Sequence, residues 1–162
     1  MKQIWAPWRM KYILRDKEQA CIFCQKPEEK RDKENYLLFR GESSFLMLNI
    51  YPYSNGHILV APYKHVSRLA GLEESELLEL MLLTRKATGL LEEVIQPQGF
   101  NIGMNLGRVA GAGIEDHLHL HIVPRWEGDT NFMPVLSGTT VVPEALETTY
   151  RKLREAMERR KG

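Results

Sequence analysis

The 162 residues include 22 Lys and Arg against 21 Asp and Glu, which leaves a formal net charge of +1. A chain so nearly balanced has no broad electrostatic field for binding nucleic acid or an anionic membrane, so we expect neither partner. The 43% hydrophobic content is enough for one domain with a genuine core. The N-terminus lacks an apolar run of signal-peptide length, and no segment approaches the roughly 20 apolar residues that cross a bilayer. We therefore expect a single cytoplasmic domain.

The spacing of apolar residues predicts an α+β fold with a mainly antiparallel sheet. Apolar side chains recur at helical spacing over residues 73–95 and stop at Pro97, which predicts one long central helix. A C-terminal helix is predicted over residues 143–161. Five apolar runs bounded by turn residues predict strands. These runs cover residues 36–41, 44–50, 57–62, 99–106 and 117–124.

Two cysteines, Cys21 and Cys24, form a CxxC motif. A structural disulfide is not expected in a chain that is kept reduced. The pair is then a redox motif, half of a zinc site, or two thiols without a function. The charged stretch that follows, residues 28–35, is typical of a solvated loop.

Three of the five histidines, His117, His119 and His121, alternate with apolar residues in the run HLHLHIV. Side chains alternate across a strand, so the three imidazoles share one face at steps of about 7 Å while the apolar residues between them face the core. Three imidazoles at strict period two beside a glycine-rich loop indicate a site rather than an incidental polar surface. A metal chelate is one alternative, because two imidazoles on one strand can bind one zinc ion.

The run HLHLHIV resembles the signature of the histidine-triad (HIT) family. The segment LNIYPYSNGHILVAPYKH is similar to the strand, turn and Gly-His segment of the same family, and the opening WAPWR and the later VPRWEGDTNF extend the resemblance over nearly the whole chain. These flanking segments look closest to the bacterial branch that includes diadenosine tetraphosphate phosphorylases. The resemblance implies a HIT-like fold and one HIT domain over residues 1–162. Its parts would be an N-terminal arm at 1–20, a catalytic core at 21–142 and the C-terminal helix at 143–161.

The resemblance also implies roles for the histidines. His119 would attack the α-phosphate of an adenine nucleotide and form a covalent nucleotidyl-histidine, since a neutral imidazole is available near pH 7 and its adduct is reactive. His121 would donate hydrogen bonds to the α-phosphate or the leaving group, and His57 would support it. The alternative for His57 is a hydrogen-bonded histidine at the start of a strand.

A bound nucleotide needs a ribose contact, a base pocket and a phosphate loop. Asn49 matches the family's ribose-binding position. A glycine-rich loop beside the triad can bring backbone N–H groups against phosphate oxygens. The candidates for the base pocket are Phe23, Leu48 and Ile50, although residues of these types are also typical of a core. The candidates for the phosphate loop are Asn105, Gly111 and Gly113.

Cys21, Cys24, His65 and His117 match a zinc site found in several HIT relatives. Two thiolates and two imidazoles satisfy the tetrahedral preference of zinc, and such a closed, structural site would join the N-terminal arm to the sheet. With His117 turned toward the thiolates, His119 is left free as the nucleophile, which disfavours the chelate formed by the histidines alone.

The loop before the triad indicates whether water or inorganic phosphate accepts the nucleotidyl group. Many hydrolytic HIT members resemble one another in carrying a Gln and a hydroxyl residue there, whereas this chain has GIED at residues 113–116. The departure favours inorganic phosphate over water, so that diadenosine tetraphosphate and phosphate give ADP and ATP.

Three other functions remain open. One is a HIT hydrolase of dinucleoside polyphosphates or AMP conjugates, and another is a metal-dependent hydrolase with HxH ligands. The third, of a different class, is a non-catalytic, zinc-stabilised nucleotide-binding protein. The family resemblance also implies a homodimer, with the long helix or neighbouring strands at the interface.

Overall fold

A computed structural model of the protein describes residues 21–129 and 143–160. The predicted arm at residues 1–20 therefore lies outside the described residues. Within them the chain forms five strands and three α-helices. The strands are β1 (Leu37–Arg40), β2 (Ser44–Leu48), β3 (Ile58–Pro62), β4 (Gly99–Met104) and β5 (Leu120–Arg125), and the helices are α1 (Ile22–Glu28), α2 (Glu74–Ile95) and α3 (Leu146–Arg159).

The five strands form one antiparallel sheet in the order β1-β2-β3-β5-β4, which confirms the predicted α+β class. A turn at residues 41–43 joins β1 to β2, and a longer connection at residues 49–57 joins β2 to β3. The strand β5 lies between β3 and β4, and Leu59 pairs with His121 in this register. The pairing brings the start of β3, with His57, beside the row of histidines. His57 and the three histidines of HLHLHIV, which are far apart in the sequence, therefore lie next to each other in the sheet.

The helix α2 covers one face of the sheet. Its buried residues Leu80, Leu83, Ala87 and Leu91 recur every three or four positions and form one apolar stripe. A capping box between Glu73 and Glu76 marks its N-terminus. The helix α3 packs against α2 and β1. Among the described residues, no helix has both the length and the apolar character needed to cross a bilayer.

The two faces of the sheet carry different apolar clusters. The larger cluster, under α2, includes Leu118, Leu120 and Ile122. The smaller cluster, on the opposite face, contains Phe23 of α1, whose ring lies 4.7 Å from that of His119 between centroids. The alternation in HLHLHIV is thereby confirmed, because its apolar residues enter the main core while the imidazoles face α1.

One helix and several boundaries differ from the sequence prediction; for example, β2 ends at Leu48 and β4 at Met104, each two residues earlier than predicted. The helix α1 was not expected; Cys21 is its N-cap residue and Cys24 lies in its first turn. The strand β5 begins at Leu120, because Leu118 donates its N–H to the carbonyl of Val66 at 2.6 Å instead of joining the strand ladder. The helix α3 begins three residues later than its prediction, at Leu146.

Candidate active site

Four side chains meet where the start of α1 approaches the row of histidines. Their ligand atoms, from Cys21, Cys24, His65 and His117, all lie within 4.8 Å of one another. The Nδ1 atom of His117 is 3.3 Å from the Cys21 sulfur and 3.5 Å from the Cys24 sulfur. The Nδ1 atom of His65 is 3.3 Å from the Cys24 sulfur. The structure thus brings together all four predicted metal ligands.

The hydrogen bonding of His117 fits a metal ligand. Its Nε2 lies 2.8 Å from the carbonyl oxygen of Pro62, so Nε2 carries the hydrogen and donates it. The lone pair is then on Nδ1, which faces the two thiols. Backbone carbonyls commonly fix the tautomer of a metal-binding histidine in this way. Burial also lowers the pKa of His117, which keeps its imidazole neutral, the form that binds metal.

His119 has the opposite tautomer. Its Nδ1 donates to the carbonyl oxygen of His117 at 2.8 Å, so the lone pair is on Nε2. The residue is only 6% exposed, and burial lowers the pKa of its imidazole. A neutral imidazole with a fixed lone pair is able to act as a nucleophile at pH 7.

A sequence of hydrogen bonds determines the tautomer of His121. The backbone N–H of Tyr53 donates to Nδ1 of His57 at 3.1 Å, so the hydrogen of His57 is on Nε2. That hydrogen is donated to Nδ1 of His121 at 3.0 Å. His121 therefore carries its own hydrogen on Nε2, and this buried atom has no partner among the described residues. The rings of His121 and His119 lie 4.9 Å apart between centroids, and both residues line the same cavity.

Electrostatics keep this group of imidazoles neutral. Burial, together with the neighbouring His121 and His119, lowers the pKa of His57 to about 3. Burial and the neighbouring His119 lower the pKa of His121 to about 4. Both side chains are thus uncharged near pH 7, as their hydrogen bonds require.

A cavity of about 490 Å³ opens beside His119 and His121. This volume is in the range of small-molecule binding sites. Leu48 is fully buried in the main core, whereas Ile50 is 44% exposed. The cavity is lined by all seven residues predicted to bind a nucleotide, which are Phe23, Leu48, Asn49, Ile50, Asn105, Gly111 and Gly113.

Asn49 links the cavity to the histidines. It follows β2, and its Oδ1 accepts the backbone N–H of Tyr51 at 2.9 Å. Its Nδ2 lies 3.4 Å from Nδ1 of His57. The side chain is therefore held beside His57 and lines the cavity.

The glycine-rich loop forms another part of the wall. Gly107 and Gly111 have φ angles of 84° and 90°, which residues with a side chain rarely adopt. The Nδ2 atom of Asn105 lies 3.5 Å from the carbonyl oxygen of Gly111 across the loop. Gly111 and Gly113 of this loop line the cavity together with Ile114.

Part of the cavity wall is polar and was not predicted from the sequence; it is formed by Lys26, Glu34 and Asn35. These residues lie in or beside the stretch interpreted as a solvated loop, but Asn35 is buried. A single Asn in a charged stretch carries no periodicity that would reveal its burial, so the sequence offered no signal for it.

An antiparallel sheet with three alternating histidines beside a nucleotide-sized cavity defines a histidine-triad protein. A family model described as the HIT domain matches residues 30–128. The chain belongs to the HIT family.

The chain is similar to relatives along most of its length. It is 40% identical to the AP-4-A phosphorylase of Mycobacterium tuberculosis, over 94% of this chain and 83% of that protein. A solved structure of a hypothetical histidine triad nucleotide-binding protein from Sulfolobus tokodaii matches with a TM-score of 0.71 and 31% identity, over 87% of this chain and 94% of that one. A Zn-bound histidine triad family protein from Mycobacterium smegmatis shares the fold, with a TM-score of 0.70 and 24% identity, over 88% and 96%.

Proposed function

We propose that this chain is a nucleotidyltransferase that cleaves diadenosine tetraphosphate and related dinucleoside polyphosphates by phosphorolysis. The observation that carries the proposal is the free Nε2 lone pair of His119, in the wall of a cavity that is also lined by His121 with its unpaired N–H. The similarity to a relative named AP-4-A phosphorylase over 94% of the chain supports the substrate class.

In the first step, Nε2 of His119 attacks the α-phosphorus and the bond from phosphorus to the leaving oxygen breaks. With diadenosine tetraphosphate the leaving group is ATP, and AMP remains bonded to His119. The N–H of His121 donates to a phosphate oxygen, where negative charge accumulates in the transition state. The carbonyl oxygen of His117 accepts the Nδ1–H of His119 and stabilises the positive charge that the ring acquires.

In the second step, an oxygen of inorganic phosphate attacks the same phosphorus and the phosphorus–nitrogen bond breaks. ADP leaves, and His119 recovers its lone pair. Asn105 and the main chain of Gly111 and Gly113 line the cavity and suit a phosphate anion. Water at this place would give AMP instead, but residues 113–116 contain neither a Gln nor a hydroxyl residue to orient it.

The test is product analysis with isotopically labelled inorganic phosphate. We expect unlabelled ATP, together with ADP that carries the label in its β-phosphate. AMP as the main adenosine product at millimolar phosphate, with the label still in free phosphate, would contradict the phosphorylase and indicate a hydrolase. Binding of AMP without turnover of any dinucleoside polyphosphate would indicate a non-catalytic nucleotide-binding protein.

We also propose that Cys21, Cys24, His65 and His117 hold one structural zinc ion. Two sulfurs and two Nδ1 atoms within 4.8 Å of one another suit tetrahedral coordination. With all four positions taken by protein atoms, the ion supplies no catalytic chemistry and instead joins the start of α1 to the sheet. The Zn-bound relative from Mycobacterium smegmatis supports this choice of metal. The cytoplasm, which keeps both thiols reduced, is the compartment that we propose.

The proposed assembly is a homodimer. The strand β4 is at the edge of the described sheet, and α2 leaves Leu78, Met81 and Leu82 between 41% and 60% exposed. A second copy of the chain would cover these apolar side chains. Light scattering should give twice the mass of one chain for the wild type and a smaller mass for Met81→Glu. A wild-type mass of one chain would contradict the dimer.

A further inference from the structure

One buried polar side chain in the cavity wall has no part in the chemistry described above. Asn35 is 7% exposed and lines the cavity. It precedes Tyr36, whose carbonyl oxygen accepts the backbone N–H of Leu48 at 3.0 Å. Leu48 in turn precedes Asn49. Asn35 therefore lies one strand beyond the proposed ribose contact.

The order of strands gives the direction of a bound nucleotide. Asn35 precedes β1, Asn49 follows β2, His57 precedes β3 and His121 lies in β5, and these four strands are consecutive neighbours in the sheet. Neighbouring strands are about 4.8 Å apart. A nucleotide with its α-phosphate at His121 and its ribose at Asn49 therefore extends its base toward Asn35.

The hydrogen bonds of Asn35 fix the orientation of its amide. Nδ2 donates to the carbonyl oxygen of Lys26 at 3.2 Å and to Oε2 of Glu29 at 2.8 Å. Both partners only accept, so the amide cannot be reversed. The carboxylate of Glu29 is itself held by Lys26 at 3.3 Å and by Arg31 at 2.9 Å. The side chain of Asn35 is thus held by a network of charged partners.

The other end of the amide is free. Oδ1 of Asn35 accepts no hydrogen bond from the described residues, and it is not sealed from solvent. A fixed acceptor that no described residue occupies is available to a donor group on a bound ligand.

We propose that Oδ1 of Asn35 accepts a hydrogen bond from the exocyclic amine of adenine and makes the site selective for adenine nucleotides. This inference rests on the proposed function, which places a nucleotide in the cavity. Adenine presents an amino donor where guanine presents a carbonyl acceptor. A fixed acceptor pairs with the first and repels the second. Glu34 also lines the cavity, but it is exposed, so water competes for its carboxylate.

The test compares two nucleotides that differ only in the amine. Calorimetry measures the binding of AMP and of purine riboside 5′-monophosphate, which has a hydrogen in place of the amino group. We expect the wild type to bind AMP about tenfold more tightly, the effect of one neutral hydrogen bond whose loss leaves an acceptor unpaired. In Asn35→Ala the ratio of the two dissociation constants should fall to about one, mainly because AMP binds less tightly.

Two matched variants separate recognition of the base from loosening of the wall. Glu29→Gln leaves an acceptor for Nδ2 and keeps Oδ1 in place, so the ratio should stay near that of the wild type. Asn49→Ala should weaken both nucleotides by a similar factor, because both carry the same ribose. A structural role for Asn35 would instead change the affinities for both nucleotides equally.

Equal binding of the two nucleotides by the wild type overturns the inference without any variant, so its test does not depend on the folding of Asn35→Ala. A tenfold ratio that persists in Asn35→Ala, or that is lost in Glu34→Ala instead, also overturns it. Equal binding together with conversion of diadenosine tetraphosphate to ADP and ATP refutes only the role of Asn35. Binding of neither nucleotide refutes the proposed nucleotide site itself.

Discussion

His117 and His119 are two positions apart in the sequence, yet different ring nitrogens, Nδ1 in His117 and Nε2 in His119, carry the lone pair. Each donates one ring N–H to a backbone carbonyl, His117 from Nε2 to Pro62 and His119 from Nδ1 to His117. The remaining lone pair is therefore on Nδ1 of His117, facing the thiols, and on Nε2 of His119. The carbonyl within reach, rather than the residue type, separates the proposed metal ligand from the proposed nucleophile.

The surroundings of His117 and His119 also differ, because protein atoms surround the free nitrogen of His117 whereas His119 lines a cavity. The Cys/His group contains four protein ligand atoms, enough to fill a tetrahedral coordination sphere. The cavity beside His119 instead leaves the N–H of His121 without a partner among the described residues. We expect changes in the first region to alter stability and changes in the second to alter turnover.

The largest effect is expected from His119→Ala. Removal of the nucleophile should lower turnover of diadenosine tetraphosphate by about 10⁴-fold or more, since no other group can form the adduct. The affinity for AMP should change little, because the ribose and base contacts are on other elements. Initial rates and calorimetry measure the two quantities.

The same enzyme allows a direct search for the adduct. Rapid quenching with a radiolabelled substrate should trap label on the wild-type protein through an acid-labile, base-stable bond, and none on His119→Ala. Full activity of the variant, without a trapped adduct in the wild type, would remove the mechanism.

Cys24→Ser should affect the other region. We expect loss of about one zinc ion per chain and a melting temperature lower by about 10 °C or more, because metal-binding free energy contributes to folding free energy. Elemental analysis and thermal unfolding measure these changes. His121→Asn serves as the control and should keep its zinc while losing turnover. Full zinc content in a variant with serine at both cysteines would contradict the metal site.

Asn105→Ala tests the acceptor side of the cavity. Loss of one amide contact should raise the KM for inorganic phosphate by about tenfold, measured from ADP formation over a phosphate titration. Asn101→Ala is a matched control, because this amide lies in β4, just before Asn105, and its oxygen accepts from Arg125 at 2.7 Å. An unchanged KM in Asn105→Ala would place the phosphate elsewhere.

The smallest effect concerns the pH dependence of stability. The pKa of His57 is about 3 in the folded protein against 6.5 as its ordinary value, so between these values the unfolded chain binds the extra proton. The free energy of unfolding should therefore fall as pH decreases through this window, by at most about 1.4 kcal/mol per pH unit for one proton. Denaturation at pH 7 and pH 5 should show a smaller loss for His57→Gln than for the wild type. Equal losses would contradict the role of His57, since the substitution leaves every other side chain in place.

Several features were determined by the sequence alone. Alternation in HLHLHIV placed three imidazoles on one face, since side chains alternate along any extended segment. Helical spacing over residues 73–95 predicted α2, and short turns between apolar runs predicted antiparallel pairing. These features depend on neighbouring residues only, so local patterns were sufficient.

The tertiary structure decided which atoms of these residues are available. The hydrogen bond between His57 and His121 joins residues 64 positions apart, and that between Tyr53 and His57 sets its direction. The thiols meet His117 across more than 90 positions. Burial of Asn35 likewise follows from α1, which the sequence did not predict. Tautomers, burial and unpaired atoms depend on strand register and on packing between distant segments, and no local pattern contains that information.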